Sequence, residues 1–444
     1  MARSSRYFDN ECKYNYLASL FVDGGNMQDS ILSGLEFIKG KNILLLVSAS
    51  IAAYKTPDLG NTFKKLGANV RVVMSEEAKK FVTPLCFEAI LHTKVLHADT
   101  ESWIETKDEL SCNHIAYAKW ADIAIVAPAS ANTLAKIAWG IADNLVLSTL
   151  LACKAPKMVA PAMNTAMFES PQTRHCLKYL KDYGFGIIEP RVGLLACDTY
   201  GKGAMSEIEE IIFEACKRLV SNDFWQDKEV IITGGGSVEN IDSVRYLSNH
   251  SSGLQASFLA IALYLLGAKV VLIASSFPII LPLGVKRFEV TDSASYLKTI
   301  KENIPQKERV FLFMAGAISD YVPKKRFESK LKKENIGENW NIECVKNIDI
   351  LKELCFPNLI KIGFKAECDE ARAIQSAQKM LQDIHDGGKG CKVVCLNIIG
   401  KHNPFGSSNN EMMFFSKTAT HHATLKDKLS ISFEITDFVQ RLLC

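Results

Sequence analysis

Several features are missing or scarce in this sequence of 444 residues, and each absence removes a class of protein. The chain contains no apolar run of about twenty residues, so we expect no segment that spans a membrane. Its polar start of mixed charge lacks the pattern of a secretory signal. A net charge of only +3 gives no reason to expect binding to nucleic acid or to a membrane surface.

Cysteine is plentiful, with thirteen residues, but no two of them have the CxxC spacing of a metal or redox motif. Cys391 and Cys395 fall on one apolar run, so we expect them to pack inside a sheet. Reduced thiols of this kind favour a cytoplasmic location. The composition, 48% hydrophobic and 23% charged, is that of a globular protein, and the length suggests two or three domains.

The most informative stretch that the sequence does contain begins at His114 and ends at Asn164. It reads HIAYAKWADIAIVAPASANTLAKIAWGIADNLV and, further on, VAPAMN. The apolar run 123–127 predicts a strand buried on both faces of a parallel sheet, and Pro128 is expected to end it. Ligands of such sheets bind beyond the carboxyl ends of the strands. The small polar residues after Pro128 therefore predict a site, although an ordinary strand-to-helix loop would contain the same residues.

This stretch resembles the flavin-dependent cysteine decarboxylases of coenzyme A synthesis. The second half of the chain, through VRYLSNHSSG and VKNIDI, resembles the ligase that bacteria fuse to such a decarboxylase. The resemblance extends from about residue 41 to the C-terminus. It implies an α/β protein with two doubly wound, mainly parallel three-layer domains. A flavodoxin-like flavin domain would occupy 41–222 and a Rossmann-like ligase domain 223–444, after a poorly ordered extension at 1–40.

For the first half, the resemblance implies three catalytic residues. His114 would act as the base, Asn164 would hold the substrate carboxylate, and Cys197, in the loop-like flap GLLACDTYGKGAMS, would return a proton. Taken alone, these residues have plainer explanations: a lone histidine is usually a satisfied polar residue, an asparagine there can cap a helix, and a loop cysteine is usually inert. The residues implied to contact FMN are Ser48, Ser50, Ser75, Phe81, Ser130, Asn132, Thr133 and Met163.

In the second half, a predicted strand at 229–232 runs into TGGGS. Three glycines expose backbone N–H groups to a phosphate, but a flexible turn would also use them. By resemblance, Asn249 converts an acyl-cytidylate into an amide, and Lys330 stabilises charge on the attacked phosphorus. Without the resemblance, 324–333 is a solvated basic loop. Asp320 is expected to contact the nucleotide and Mg2+. The other implied nucleotide-binding residues are Gly316, Ile348, Asp349, Ile350, Leu351, Phe364 and Lys379.

The implied reaction has two parts. The ligase would spend CTP, with Mg2+, to join cysteine to 4'-phosphopantothenate, and the FMN-dependent half would decarboxylate the product to 4'-phosphopantetheine. The family further implies a homo-oligomer built from trimers and dimers, together a dodecamer. A flavin-binding regulatory protein of the same fold is the main alternative, but it would lack a motif His, Asn or Cys. A nicotinamide dehydrogenase is a second alternative, but no GxGxxG follows either first strand.

Overall fold

The computed structural model describes residues 36–104, 111–332, 334, 338–400 and 407–444. The strands in these ranges are β1 Asn42–Val47, β2 Asn69–Met74, β3 Ile123–Ala129, β4 Lys157–Pro161, β5 Gly186–Ile187, β6 Arg191–Leu194, β7 Tyr200–Ala204, β8 Glu229–Gly234, β9 Val238–Asn240, β10 Tyr246–Ser248, β11 Lys269–Ala274, β12 Lys286–Glu289, β13 Val310–Met314, β14 Tyr321–Pro323, β15 Cys344–Lys346, β16 Leu359–Glu367, β17 Val393–Ile398, β18 Asn409–Phe415 and β19 Thr420–Asp427.

The α-helices in the same ranges are α1 Thr56–Lys65, α2 Pro84–Leu91, α3 His114–Trp120, α4 Ala131–Ala138, α5 Leu145–Ala152, α6 Thr165–Glu169, α7 Pro171–Asp182, α8 Ile208–Val220, α9 Leu254–Leu265, α10 Ser293–Asn303, α11 Ile350–Glu353, α12 Glu370–Leu381 and α13 Lys428–Leu443. Short 3-10 helices form at Glu36–Ile38, Ile51–Lys55, Ala78–Lys80 and Ile384–Asp386. The extension expected at 1–40 lies, for residues 1–35, outside the described ranges. Inside it, Ile38 is fully buried.

The first sheet has five parallel strands in the order β2-β1-β3-β4-β5. Alternate residues of β1 pack into different cores. Leu45 faces Phe63 of α1, whereas Leu46 lies in the cluster that contains Tyr117 of α3 and Leu134 of α4. Helices therefore cover both faces, which confirms the three-layer arrangement predicted from the continuous apolar strands.

Strand β3 is longer than the sequence predicted. It continues through Pro128, which follows a cis peptide bond, to Ala129. Ala129 stays in the sheet because it pairs with Pro161 of β4 and its carbonyl accepts a hydrogen bond from Ala162 N at 3.0 Å. The prediction that Pro128 ends the strand was therefore wrong. As a result, the turn into α4 begins only at Ser130.

The second sheet has eight strands in the order β12-β11-β8-β13-β16-β17-β18-β19. The first six are parallel, and β18 and β19 are antiparallel additions at one edge. The chain direction across the sheet reverses between β8 and β13. Such a reversal leaves a crevice beyond the carboxyl ends of the two strands, where doubly wound proteins bind ligands.

The two α/β units share one continuous apolar core. Trp225, between α8 and β8, is fully buried against Phe224 and Phe311. Phe37 meets Phe433 of α13 with ring centroids 5.5 Å apart. The connection between the units is therefore packed in place by apolar side chains.

Two further expectations concern the flap and the cysteines. The flap, expected to be loop-like, is largely an antiparallel hairpin of β6 and β7. The twelve cysteines in the described ranges are all free, and Cys391 and Cys395 are buried as predicted. In the part of the chain that the structure describes, no helix combines the length and apolar character needed to cross a membrane.

Candidate functional sites

The carboxyl ends of β1, β3 and β4 are tied together by serine hydroxyls. Ser48 Oγ donates to the Pro128 carbonyl at 2.8 Å and accepts from Ser130 N at 3.3 Å. Ser50 Oγ donates to the Ala162 carbonyl at 3.4 Å. These bonds bring the loops after three adjacent strands into one rim, which we call the first-sheet rim. Ser48, Ser50 and Ser130, chosen from the sequence, thus lie together.

The other residues predicted to contact FMN lie around this rim with different degrees of freedom. Ser130 caps α4, accepting from Thr133 N at 3.3 Å, and its Oγ lies 3.0 Å from Thr133 Oγ1. Asn132 is exposed. At the end of β2, Ser75 Oγ accepts from Ala78 N at 3.3 Å, and Phe81 nearby is exposed. Donors and an apolar ring are therefore available at the rim.

Asn164 combines the two roles that the sequence left open. Its Oδ1 accepts from Ala166 N at 2.8 Å, so it caps α6. Its Nδ2 donates to Cys197 Sγ at 3.1 Å, across 33 residues of sequence. Met163 N donates to the Gly203 carbonyl at 2.9 Å, so the same hairpin also covers Met163. A side chain added at Gly203 would collide with the Met163 carbonyl, which explains the glycine.

Cys197 is an exposed thiol with an altered acidity. Its Sγ lies 3.0 Å from Thr199 Oγ1, and the Asn164 amide is the second partner. Hydrogen bonds with Thr199 and Asn164 hold the pKa of Cys197 below its usual value, because they favour the thiolate. The thiol can therefore release a proton more readily than an ordinary cysteine.

His114 begins α3 and is held by an acidic partner that the sequence did not point out. Its Nδ1 lies 2.6 Å from Glu101 Oε1, and Trp103 contacts the ring edge-on with centroids 5.5 Å apart. A carboxylate can only accept, so this contact places the proton on Nδ1 and leaves Nε2 to accept another. Glu101 lies thirteen residues away in sequence, and no local pattern links the two residues.

His114 and Asn164 lie at different parts of the first sheet. The segment that contains Glu101 follows Leu96, which pairs beside β2, whereas Asn164 follows β4. Strands β1 and β3 lie between β2 and β4. Within one chain, each side chain contacts its own partner, so the structure does not bring the base and the carboxylate holder together.

In the second half, the glycines of TGGGS allow two loops to approach closely. A side chain at Gly236 would meet the Asn249 carbonyl at 2.4 Å, and one at Gly235, where φ is +76°, would meet Ser275. Asn249 itself is exposed, and its Nδ2 donates to the Ile318 carbonyl at 3.2 Å. The triplet is buried. It therefore serves close packing around Asn249 and is not a loose turn.

Asp242, which the sequence analysis missed, fixes the loops that contain Asn249 and Lys330. Its Oδ1 accepts from Val244 N and Arg245 N, each at 2.8 Å, and its Oδ2 accepts from Leu331 N at 3.2 Å. Burial disfavours the carboxylate, but these backbone bonds hold the pKa of Asp242 below its usual value. An aspartate two residues before a bonded N–H is a common turn signal that could have identified it.

Of the predicted nucleotide-binding residues, the group around VKNIDI is spread over surface and core. Asp320 is exposed, and its carbonyl accepts from Asn347 N at 2.8 Å. Asp349 pairs with Lys389 at 3.2 Å. The remaining members differ in burial: exposed Ile348, Lys330 and Lys379, and core residues Ile350 and Leu351.

A cavity of about 480 Å³ lies beyond the carboxyl ends of β13, β16 and β17. Gly316 and Phe364, both predicted from the sequence, line it, together with the first turn of α9. Lys428, at the start of α13, also lines the cavity and was not predicted, since a lysine beginning a helix gives no sequence signal of burial.

Asp320 was also predicted to ligate a metal. In the described ranges the one group of three close metal-ligand side chains lies elsewhere: Glu76, His97 and Asp99. The Lys79 ammonium already neutralises that group, at 2.6 Å from Glu76 and 2.9 Å from Asp99. Asp320 therefore offers a single exposed carboxylate, which suits an ion held mainly by phosphates and water.

Comparison with known proteins matches both halves. A family model described as Flavoprotein matches residues 34–220, and one described as DNA/pantothenate metabolism flavoprotein C-terminal domain matches 225–443. The coenzyme A biosynthesis bifunctional protein CoaBC of Bacillus subtilis (strain 168) is 34% identical over 411 residues, covering 91% of this chain and 98% of the relative. The protein of that name from Escherichia coli (strain K12) is 33% identical over 383 residues, covering 85% and 91%.

Among solved structures, a PPC decarboxylase mutant complexed with pantothenoylaminoethenethiol is 34% identical, with a TM-score of 0.37, and covers 41% of this chain and 98% of that chain. The relatives match along nearly their whole length, across both halves of the chain. The chain therefore belongs to the family of bifunctional coenzyme A biosynthesis proteins, which unite a decarboxylase and a ligase in one polypeptide.

Proposed function

We propose that residues 41–222 use FMN to decarboxylate 4'-phosphopantothenoylcysteine, and that residues 223–444 make this compound from 4'-phosphopantothenate, cysteine and CTP. The observation that carries the first assignment is the hydrogen bond of 3.1 Å between Asn164 and Cys197. It joins a carboxylate holder and a proton donor that the motifs identified separately, 33 residues apart.

Asn164 is suited to hold a carboxylate that must leave as CO2. One amide hydrogen is given to Cys197, and the second remains for the substrate. A neutral amide binds the carboxylate without the strong charge stabilisation that a cation would give. Because that stabilisation would be lost in the transition state, a cation would oppose the departure of CO2.

Cys197 and His114 would handle the protons. Loss of CO2 leaves a carbon that must be protonated, and the lowered pKa of Cys197 favours this transfer. His114, with Nδ1 facing Glu101, has Nε2 available to take the substrate thiol proton and later return it. The carbon and the thiol thus have separate proton donors.

The first-sheet rim fits a flavin mononucleotide. Hydroxyl and amide donors at Ser48, Ser50 and Asn132 suit a phosphate and ring oxygens. Phe81 and Ile51, both exposed beside these donors, suit a flat apolar ring. The bound flavin would supply reversible two-electron oxidation at the thiol-bearing carbon.

For the ligase, the anchored loops give each residue a role. Lys330 extends an exposed ammonium from the loop bound to Asp242, and it would stabilise negative charge on the attacked phosphorus. Asn249 would position the acyl-cytidylate for attack by the cysteine amine. Asp320 would contact the nucleotide and its Mg2+, and Phe364 would pack against the base.

We also propose that the decarboxylase site forms between copies in a homo-oligomer of the trimer type. His114 and Asn164 contact different partners within one chain, so a substrate that meets both needs a histidine from a neighbouring copy. A direct test mixes inactive His114→Asn and Asn164→Ala subunits. Mixed oligomers should regain CO2 release if the site is shared, and no recovery would contradict sharing.

The function is tested by incubating the protein with 4'-phosphopantothenate, cysteine and either CTP or ATP, and by measuring pyrophosphate and CO2 separately. We expect both products with CTP. His114→Asn should abolish CO2 and leave pyrophosphate release intact.

His92 provides a matched control for this substitution. It is exposed and ends α2 with φ +58°, a conformation that asparagine tolerates well. His92→Asn should therefore keep both activities. Loss of both products from His114→Asn alone would contradict two separate sites, and pyrophosphate release with ATP only would contradict the nucleotide assignment.

A further inference from the structure

Lys428 is a buried cation on the wall of the 480 Å³ cavity. Only 7% of the residue is exposed, although it is the first residue of α13. Its Nζ donates to the Ser407 carbonyl. Lysine is rarely buried without a charged partner, so this position needs an explanation.

No carboxylate in the described ranges forms an ion pair with Lys428. Asp427, its neighbour in sequence, caps α13 by accepting from Ser430 N at 2.9 Å. The second lysine of the cavity, Lys365, does have an acidic partner, Glu367, at 3.6 Å. The cavity wall therefore presents one buried positive charge that the protein itself does not neutralise.

The surroundings of Lys428 are built and polar. Gln255 Nε2 donates to the Lys428 carbonyl at 3.5 Å and to Ser432 Oγ at 2.9 Å, while Gln255 Oε1 accepts from Asn410 at 3.1 Å. Gln255 belongs to the first turn of α9, a helix of twelve residues whose start lines the same cavity. This network fixes the first residue of α13 against the beginning of α9.

The start of α9 adds a second attraction for an anion. The helix begins after Gly253, which has no side chain to cap it, and its first turn contains no basic residue. Backbone N–H groups at such a start favour negative charge. Lys428 is thus the buried cation that complements them across the cavity.

We propose that the Lys428 ammonium binds a phosphate group of a ligase substrate in this cavity. The proposal rests on the ligase function proposed above. Both the nucleotide and 4'-phosphopantothenate contain phosphate, and the shared chemistry is the pairing of a phosphate oxygen with a desolvated ammonium. Lys428 would bind and position the substrate, and the bond that reacts lies at other residues.

The test compares wild type with Lys428→Met, which keeps the length of the side chain and removes its charge. Initial rates of pyrophosphate release give KM separately for CTP and for 4'-phosphopantothenate, and calorimetry gives the Kd of CTP. We expect the KM of one of them to rise about 10- to 100-fold, as for loss of a hydrogen bond between charged groups. Lys428→Arg should lose less affinity, and exposed Lys417→Met should change nothing.

A purely structural lysine would give a different pattern, because its loss would lower the melting temperature along with all rates. We expect the ligand-free Lys428→Met protein to melt at a higher temperature than wild type while binding its phosphate substrate more weakly. A rise confined to the KM of CTP would assign the nucleotide, and one confined to 4'-phosphopantothenate would assign that substrate.

Unchanged KM values for both substrates in a folded Lys428→Met protein would overturn the proposal. Wild type that binds CTP without releasing pyrophosphate would refute the ligase function, yet weaker CTP binding by Lys428→Met would still support Lys428. Wild type that binds neither compound would overturn both.

Discussion

Replacing Lys428 with methionine should stabilise the ligand-free protein at pH 7. Burial lowers the pKa of Lys428 from 10.5 to about 8, which corresponds to about 3 kcal/mol of destabilisation of the charged form. The variant also loses the hydrogen bond to the Ser407 carbonyl, worth about 1 kcal/mol. The net gain of about 2 kcal/mol would raise the melting temperature of the second domain by about 4–8 °C.

The pH dependence has a definite sign. Because the pKa of Lys428 is lower in the folded state, the unfolded chain holds this proton more tightly. The contribution of Lys428 to wild-type stability should therefore become more favourable as the pH rises from about 8 to 10.5. Methionine does not titrate, so the stability advantage of the variant should shrink over the same range.

Urea unfolding of both proteins at pH 7, 9 and 10, followed by tryptophan fluorescence, measures this advantage directly. Comparing the proteins at each pH removes the effect of all other titrating groups, and Lys417→Met controls for removing an exposed lysine. A variant less stable than wild type at pH 7, or an advantage that stays constant up to pH 10, would refute the electrostatic reasoning.

Three further predictions test other contacts. Thr199→Val removes a hydrogen bond to Cys197 and should move the alkylation profile of that thiol to higher pH, as followed with iodoacetamide; an unchanged profile would mean that Thr199 does not tune it. Asp242→Ala should release the loops of the ligase site and lower kcat/KM for pyrophosphate release by about tenfold or more, while CO2 release from supplied 4'-phosphopantothenoylcysteine stays normal. Trp225→Ala should lower the free energy of unfolding by about 3–5 kcal/mol, but Trp225→Phe much less, because the buried indole N–H has no partner among the described residues; equal losses in chemical denaturation would contradict this.

Much of the fold could be predicted from local patterns. The apolar runs at Asn42–Val47, Asn69–Met74 and Val310–Met314 predicted three strands with the bounds that the structure shows. These strands are buried on both faces, so their composition alone reports their place in a parallel sheet. The exception was β3, which continues through Pro128, because pairing with β4 overrides the usual effect of proline.

The candidate sites were only partly predictable. His114, Asn164 and Cys197 were identified from motif resemblance, and their individual roles remain proposals. The sequence did not indicate that Glu101 faces His114, or that a cap residue of α6 also donates to the flap thiol. These contacts join residues distant in sequence, and they exist only because neighbouring strands end at one rim.

The sequence by itself determined the alternation of strands and helices, the two-part organisation and the motif residues, because these depend on local backbone preference and on the periodicity of apolar side chains. The tertiary structure alone decided which polar groups meet: the three N–H donors gathered by Asp242, and the uncompensated Lys428 opposite the start of α9. Burial and the loss of water determine the energies of these groups. Both depend on how distant segments pack together.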